Sequence, residues 1–282
     1  MAKTVKFKGN PMTLIGREAD PGMTAPYFKV TAQDMSEKGL DDFKGKIKVI
    51  ASFPSLDTPV CDLQVKEFNK RSASFSPDVV VIGISKDLPF AQARFCQEHE
   101  IKNFVLSDYK YSSFGIQYGL LIRELNLLAR SVMIIDKNDI IRYVQVVDEL
   151  TSPPDYEAAV KALSEVVKMP ESEPRAGKNT RCVPCEIGTP PLSKDRILGL
   201  LPSVKGWDIV DDKKIVKEFK FKDFSCAKTF VDAVSVIAEE EGHHPSILVS
   251  YNKVRITLTT HASGGLTDND FIMAGIIDKI NA

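Results

Sequence analysis

At 282 residues the chain exceeds what one hydrophobic core usually organises, which points to two domains. Its 37 lysines and arginines nearly balance 38 aspartates and glutamates, so no global field steers it toward nucleic acid or a membrane surface. No apolar run approaches the roughly 20 residues of a membrane span, and the opening MAKTVKFKGN lacks a signal-peptide core, so a cytoplasmic chain is expected.

Taken in chain order, Ile47 to Phe53 and Val79 to Ser85 are short β-branched runs, as expected of strands buried on both faces. Between them CDLQVKEFNKRSASF carries Leu63, Val65 and Phe68 at near-helical spacing, which makes a strand, helix, strand unit. SVMIID and IIRYVQVV flank Lys137-Asn138-Asp139 as an antiparallel hairpin, and a helix from Asp155 to Lys168 closes a first domain over 1–168. MPESEPRAGKNT, residues 169–180, has linker composition. The second domain is expected over 181–282. There Ser193 can cap a short helix, WDIVDDKKIVKEFKF reads as two strands, and Ala227, Phe230, Val231, Val234, Ile237 and Ala238 form a helical stripe ending at Gly242. A hairpin about Asn252-Lys253 follows, then a last helix capped by Thr267 with Asp270 as the acidic half of a capping box. The second domain is therefore a smaller α+β fold, its sheet antiparallel and its helices on one face.

Five cysteines, Cys61, Cys96, Cys182, Cys185 and Cys226, are too few for a stapled scaffold and each needs its own role. Cys61 opens a predicted helix, where backbone N–H groups and the helix dipole favour an anion. Pro54 and Pro59 fix the loop before it, and Thr58, three residues earlier, offers a hydroxyl to a thiolate. Cys96 lies in the amphipathic stretch FAQARFCQEHE, and Cys226 is placed in the core side of a helix. Cys182-x-x-Cys185 has the spacing of a redox pair or half a zinc site, but no second pair accompanies it; a structural role and an electron relay both stay open.

Pro54, Thr58 and Cys61 match P-x-x-x-T-x-x-C, and SLDTPVC with ISKDLPFAQARFC closely resembles the thiol peroxidase subfamily of peroxiredoxins, the atypical 2-Cys type. The resemblance spans about residues 1 to 167 and implies a thioredoxin-like α/β fold. It makes Cys61 the peroxidatic cysteine, which attacks a hydroperoxide and becomes a sulfenic acid. It places Arg130 in the active site, where a guanidinium stabilises a thiolate and polarises the O–O bond. It makes Cys96 the resolving cysteine, closing an intrachain disulfide that thioredoxin reduces, and turnover then requires the Cys96 helix to be locally mobile. A thiol redox sensor is the alternative.

Of four histidines, three fall within 19 residues: His243, His244 and His261. The predicted hairpin brings them to one end of its sheet, a pattern suited to acid–base work or, less well, to a metal. EEEGHHPSILVSYNKVRITLTTHASGGLTDND and RCVPCEIGTPPLS are similar to the pterin-4a-carbinolamine dehydratase family. That similarity implies metal-free dehydration of 4a-hydroxytetrahydropterin, with His243 and His261 as acid and base, His244 holding the pterin and Asp270 orienting a histidine. It departs at Ile247, where familiar members carry an aromatic. A non-catalytic pterin-binding or oligomerisation module is the alternative for this half. A homodimer or higher homo-oligomer is expected, with no cofactor.

Overall fold

The computed structural model describes residues 3–169, 182–183 and 189–281. Contacts divide the chain into two compact units, Met1–Arg175 and Ala176–Ala282. Apart from Met169, the expected linker over 169–180 lies outside the described residues, and so does Cys185.

The first unit runs β1 (Thr4–Phe7), β2 (Asn10–Arg17), β3 (Lys29–Thr31), β4 (Glu37–Gly39), β5 (Ile47–Ser52), α1 (Pro59–Ser72), β6 (Val79–Ser85), α2 (Pro89–Glu98) and β7 (Phe104–Ser107). It continues with α3 (Ser113–Gln117), β8 (Leu121–Ile122), β9 (Leu127–Leu128), β10 (Ser131–Ile135), β11 (Ile141–Val146) and α4 (Tyr156–Val167). A seven-stranded sheet has the order β11-β10-β5-β6-β7-β3-β4, while β1, β2, β8 and β9 form a separate small sheet. Every residue of β5 is buried, which is why IKVIAS is apolar on both faces apart from its lysine and terminal serine. Ile47, Val49 and Ala51 of β5 pack with Phe68 of α1 and with Ala159, Leu163 and Val166 of α4.

Register decides what this sheet presents at its end. β5 and β6 are parallel with Ser52 opposite Ile84, so the loops that follow them emerge side by side. β10 runs antiparallel to β5 with Ser131 opposite Ser52, which puts the preceding Arg130 at the same end. β11 returns there too, since Val146 faces Ser131. Four chain segments converge beyond the carboxyl ends of parallel strands, where open α/β sheets place their chemistry.

The second unit contains α5 (Lys194–Leu200), β12 (Asp208–Val210), β13 (Lys214–Lys220), α6 (Phe224–Glu241), β14 (Ser246–Ser250), β15 (Lys253–Leu258) and α7 (Asp268–Ile277). A four-stranded antiparallel sheet has the order β12-β13-β15-β14. Ile215, Val254, Ile256 and Leu258 are buried whereas Lys214, Lys253 and Arg255 are exposed, so one face of the sheet carries the core. Phe230 of α6 meets Phe219 and Phe221 at ring-centroid separations of 4.7 and 5.0 Å. α6 stops at Gly242, whose φ of 63° is left-handed, as the glycine in the sequence requires.

Two local expectations shift. The β14–β15 loop is Tyr251-Asn252, one residue earlier than expected, because Ser250 pairs with Lys253 and Tyr251 takes the left-handed φ of 51°. Cys226 is half-buried and not in the core. It lies in the first turn of α6, where its backbone N–H donates to the Asp223 cap at 2.9 Å.

Candidate active sites

In the first unit Cys61 is the third residue of α1 and is fully buried. Thr58 holds the N-cap position, yet its hydroxyl does not cap the helix. The hydroxyl lies 2.8 Å from Cys61 Sγ and 3.1 Å from the Ser55 carbonyl, so its single hydrogen can serve either acceptor. Arg130, also buried, points its Nη2 at the sulfur from 3.3 Å. The remaining guanidinium donors are fixed: Nη1 donates to Gln64 Oε1 at 2.5 Å, and Nε and Nη2 donate to the Leu150 carbonyl at 3.2 and 2.9 Å. Gln64 stands one turn after Cys61 on α1 and donates from Nε2 to the Ser52 carbonyl at 3.4 Å. Ser52 in turn donates to the Ala129 carbonyl at 2.7 Å, tying β5 to the residue before Arg130. Pro54, half-buried, lies in the loop between β5 and α1.

A thiolate in this position meets a guanidinium, a hydroxyl and the positive end of a helix at once. The surroundings of Cys96 differ in each respect. Cys96 sits in the last turn of α2, buried, with Gln33 Nε2 donating to its sulfur at 3.2 Å. Burial pushes its thiol above the ordinary value of 9.0, with the Gln33 bond opposing in part. Cys61 and Cys96 share one apolar cluster with Phe53, Leu56, Val65 and Val105. A cavity of about 370 Å³ opens between the start of α1 and one side of α2, and Thr58 lines it as well as touching the sulfur.

In the second unit His243 follows α6 and is buried, with Nε2 at 2.8 Å from Asp270 Oδ1. Asp270 lies in the first turn of α7 and divides its two oxygens. Oδ2 accepts from the Thr267 backbone N–H at 2.8 Å, completing the expected capping box, and from the Thr260 hydroxyl at 2.9 Å. His244 and His261 are exposed, His244 pairing with Glu239 at 3.1 Å. Since Ser246 faces Thr257, both segments that carry the histidines lie at the same end of the hairpin. Among the described residues no group of three or more His, Cys, Asp or Glu side chains could hold a metal ion. Cys182 donates its backbone N–H to Glu241 Oε2 at 2.8 Å, with its sulfur 3.7 Å from the Asn269 carbonyl.

Sequence reasoning missed Gln64, the Leu150 carbonyl and Thr260. The first two join segments far apart in sequence, and no local pattern marks them. Thr260 stands beside His261 and could have been found as a hydroxyl next to a candidate base.

Residues 20–160 match the family described as Redoxin, and residues 190–280 match that described as Pterin 4 alpha carbinolamine dehydratase. The chain is 48% identical over 160 residues to a thiol peroxidase of Halalkalibacterium halodurans, covering 56% of this chain and 96% of the relative. It is 46% identical over 165 residues to a thiol peroxidase of Bacillus subtilis, covering 58% and 98%. The solved structure of a peroxiredoxin-like protein from Aquifex aeolicus superposes with a TM-score of 0.56 at 44% identity, over 59% of this chain and 98% of that one. A thiol peroxidase from Chromobacterium violaceum shares the fold at a TM-score of 0.54 and 24% identity, over 58% and 98%. With a buried cysteine at a helix start, an arginine on its sulfur and these relatives over the same residues, the chain belongs to the redoxin family as a thiol peroxidase, joined to a pterin-4a-carbinolamine dehydratase-like domain.

Proposed function

We propose that Cys61 is the peroxidatic cysteine and Cys96 the resolving cysteine of a thioredoxin-dependent peroxidase. The Cys61 thiolate attacks the terminal oxygen of a hydroperoxide; the O–O bond breaks, that oxygen stays on sulfur with its hydrogen as a sulfenic acid, and the other leaves as an alkoxide that takes up the proton the thiol released on ionising and departs as the alcohol. The Cys96 thiol then attacks the sulfenic sulfur, water departs and an intrachain disulfide forms, which a thioredoxin-type dithiol reduces by exchange. The observation that carries this reading is the pair of donors, Arg130 Nη2 and the Thr58 hydroxyl, aimed at one buried sulfur on a helix N-terminus. Pro54 shapes the loop that presents Thr58. Mass spectrometry after one equivalent of hydroperoxide tests it: a peptide linking Cys61 to Cys96 is expected, and linkage elsewhere refutes it. Steady peroxide consumption with thioredoxin marks an enzyme, whereas one stoichiometric burst marks a redox sensor.

For the second unit we infer dehydration of 4a-hydroxytetrahydropterin. His243 and His261 act as acid and base, His244 holds the pterin and Asp270 orients His243. The supporting observation is the buried His243–Asp270 contact beside the exposed His261 segment. A dehydration rate no faster than the spontaneous one would leave a binding module in its place.

A further inference from the structure

Asp87 lies in the loop that leads from β6 into α2. Its carboxylate accepts three hydrogen bonds: from the Ser55 hydroxyl at 2.7 Å, from the Leu56 backbone N–H at 2.8 Å and from the Ser85 hydroxyl at 2.8 Å. Ser55 and Leu56 belong to the loop before Cys61. The Ser55 carbonyl accepts from the Thr58 N–H at 3.2 Å, and it is the other acceptor open to the Thr58 hydroxyl. On the opposite side the Ser85 hydroxyl accepts from Gln92 Nε2 at 3.0 Å, and the same amide donates to the Leu106 carbonyl at 2.9 Å. Gln92 is fully buried on α2, one turn before Cys96. One carboxylate thus connects the hydroxyl on the Cys61 sulfur with the helix that carries the second cysteine.

We propose that Asp87 is a positioning residue that fixes the Thr58 donor through Ser55 and pins the Cys96 helix through Ser85 and Gln92. The inference rests on the assignment of Cys61 and Cys96 made above. For the disulfide to form, Cys96 must leave its contact with Gln33 and reach the sulfenic sulfur, so α2 must shift relative to the Cys61 loop. The Asp87 bonds oppose that shift, because hydrogen bonds to a charged acceptor are among the stronger ones to break. While they hold, the Cys61 sulfenic acid stays exposed to a second hydroperoxide, which oxidises it to sulfinic acid and leaves as alcohol. Asp87 therefore sets both the speed of the first step and the division between disulfide and sulfinic acid.

The test uses the full-length reduced protein, tert-butyl hydroperoxide and rapid quenching, with alkylation and mass spectrometry. Asp87→Asn is expected to slow loss of the Cys61 thiol by about fivefold and to lower the sulfinic-to-disulfide ratio at high peroxide by about threefold. Ser55→Ala cuts only the loop side and slows the first step alone. Gln92→Met cuts the helix side, at Ser85 and at Leu106, and shifts the ratio alone, and adding Asp87→Asn to it shifts the ratio no further, which a merely structural carboxylate does not produce. If thermal melting shows Asp87→Asn unfolded, this pair decides. Wild-type behaviour of Ser55→Ala and Gln92→Met in both measurements, with the linked peptide present in the wild type, overturns the coupling alone. A wild type that yields no Cys61–Cys96 peptide overturns the assignment of the two cysteines and the coupling with it.

Discussion

Arg130 Nη2 stands 3.3 Å from Cys61 Sγ, and both side chains are closed off from water. A buried guanidinium is costly unless its charge is met, and here its other donors reach only the neutral oxygens of Gln64 and Leu150. Under the assignment of Cys61 as the nucleophile, its thiolate is the anion that meets this charge, so the arginine and the sulfur depend on each other. Replacing Arg130 by Met should remove about 2–3 kcal/mol of stabilisation from the transition state, or roughly 30- to 150-fold in peroxide reduction. Arg130→Lys should recover little, since a single ammonium cannot reproduce a planar fork on three acceptors. Stopped-flow kinetics with excess thioredoxin measures both; an undiminished Arg130→Met rate would falsify the role.

Thr58 gives a finer test on the same sulfur. Thr58→Val keeps the shape at the cleft and loses the donor, and about a tenfold or greater loss in the first step is expected. Thr58→Ser retains the hydroxyl and should restore most of the rate. Equal rates for the Val and Ser variants would show that the methyl and not the hydroxyl matters.

The Cys96 helix carries a pH dependence of definite sign. Because burial raises the Cys96 thiol in the folded state, the closed arrangement binds its proton more tightly than the opened one. That stabilisation is complete below the ordinary value of 9.0 and is lost as pH rises through the folded value. Amide exchange within α2, corrected for its intrinsic pH dependence, should therefore speed up between pH 8 and pH 10, and Cys96→Ala should remove the increase. An identical increase in the variant assigns the effect to another group.

What the sequence disclosed was local. Pro59 at a helix start, Thr58 three positions before Cys61 and the β-branched run before them are nearest-neighbour facts, and strand, turn and helix follow from them. The spacing of Thr267 and Asp270 likewise gave the capping box. The partner of Arg130 on α1 is 66 positions away, and the Leu56–Asp87 bond spans 31. Such pairs are set by sheet register, which periodicity does not encode. The small sheet escaped for another reason: β8 and β9 have two residues each, too short to show any alternation.

Asp108 supplies a second titration, within the scaffold. Its carboxyl is buried and pushed up to about 7 by desolvation, although the Phe114 and Gly115 backbone N–H groups donate to it at 3.0 and 2.9 Å. A raised carboxyl contributes stability that is complete below its ordinary 3.8 and is lost as pH climbs through about 7. Urea unfolding at pH 5 and pH 8 should show a larger decline for the wild type than for Asp108→Asn. Equal declines would mean that Asp108 is ionised throughout.

The His243–Asp270 contact makes the last prediction, because the donors around the carboxylate choose a tautomer. The Thr267 N–H and the Thr260 hydroxyl occupy Oδ2, which leaves Oδ1 as an acceptor for His243 Nε2. With Asp270 as acceptor the hydrogen sits on Nε2 and the lone pair on Nδ1, which under the proposed dehydration makes Nδ1 the basic atom of the ring. Asp270→Asn should lower dehydration by about 100-fold and, through the weakened cap, cost α7 about 1 kcal/mol. Thr260→Val removes one donor while Asp270 still accepts the Thr267 N–H of the capping box, so it should reduce the rate and shift its pH profile with little loss of thermal stability. If both variants dehydrate 4a-hydroxytetrahydropterin at the wild-type rate, Asp270 serves the helix and the histidine is only its packing partner.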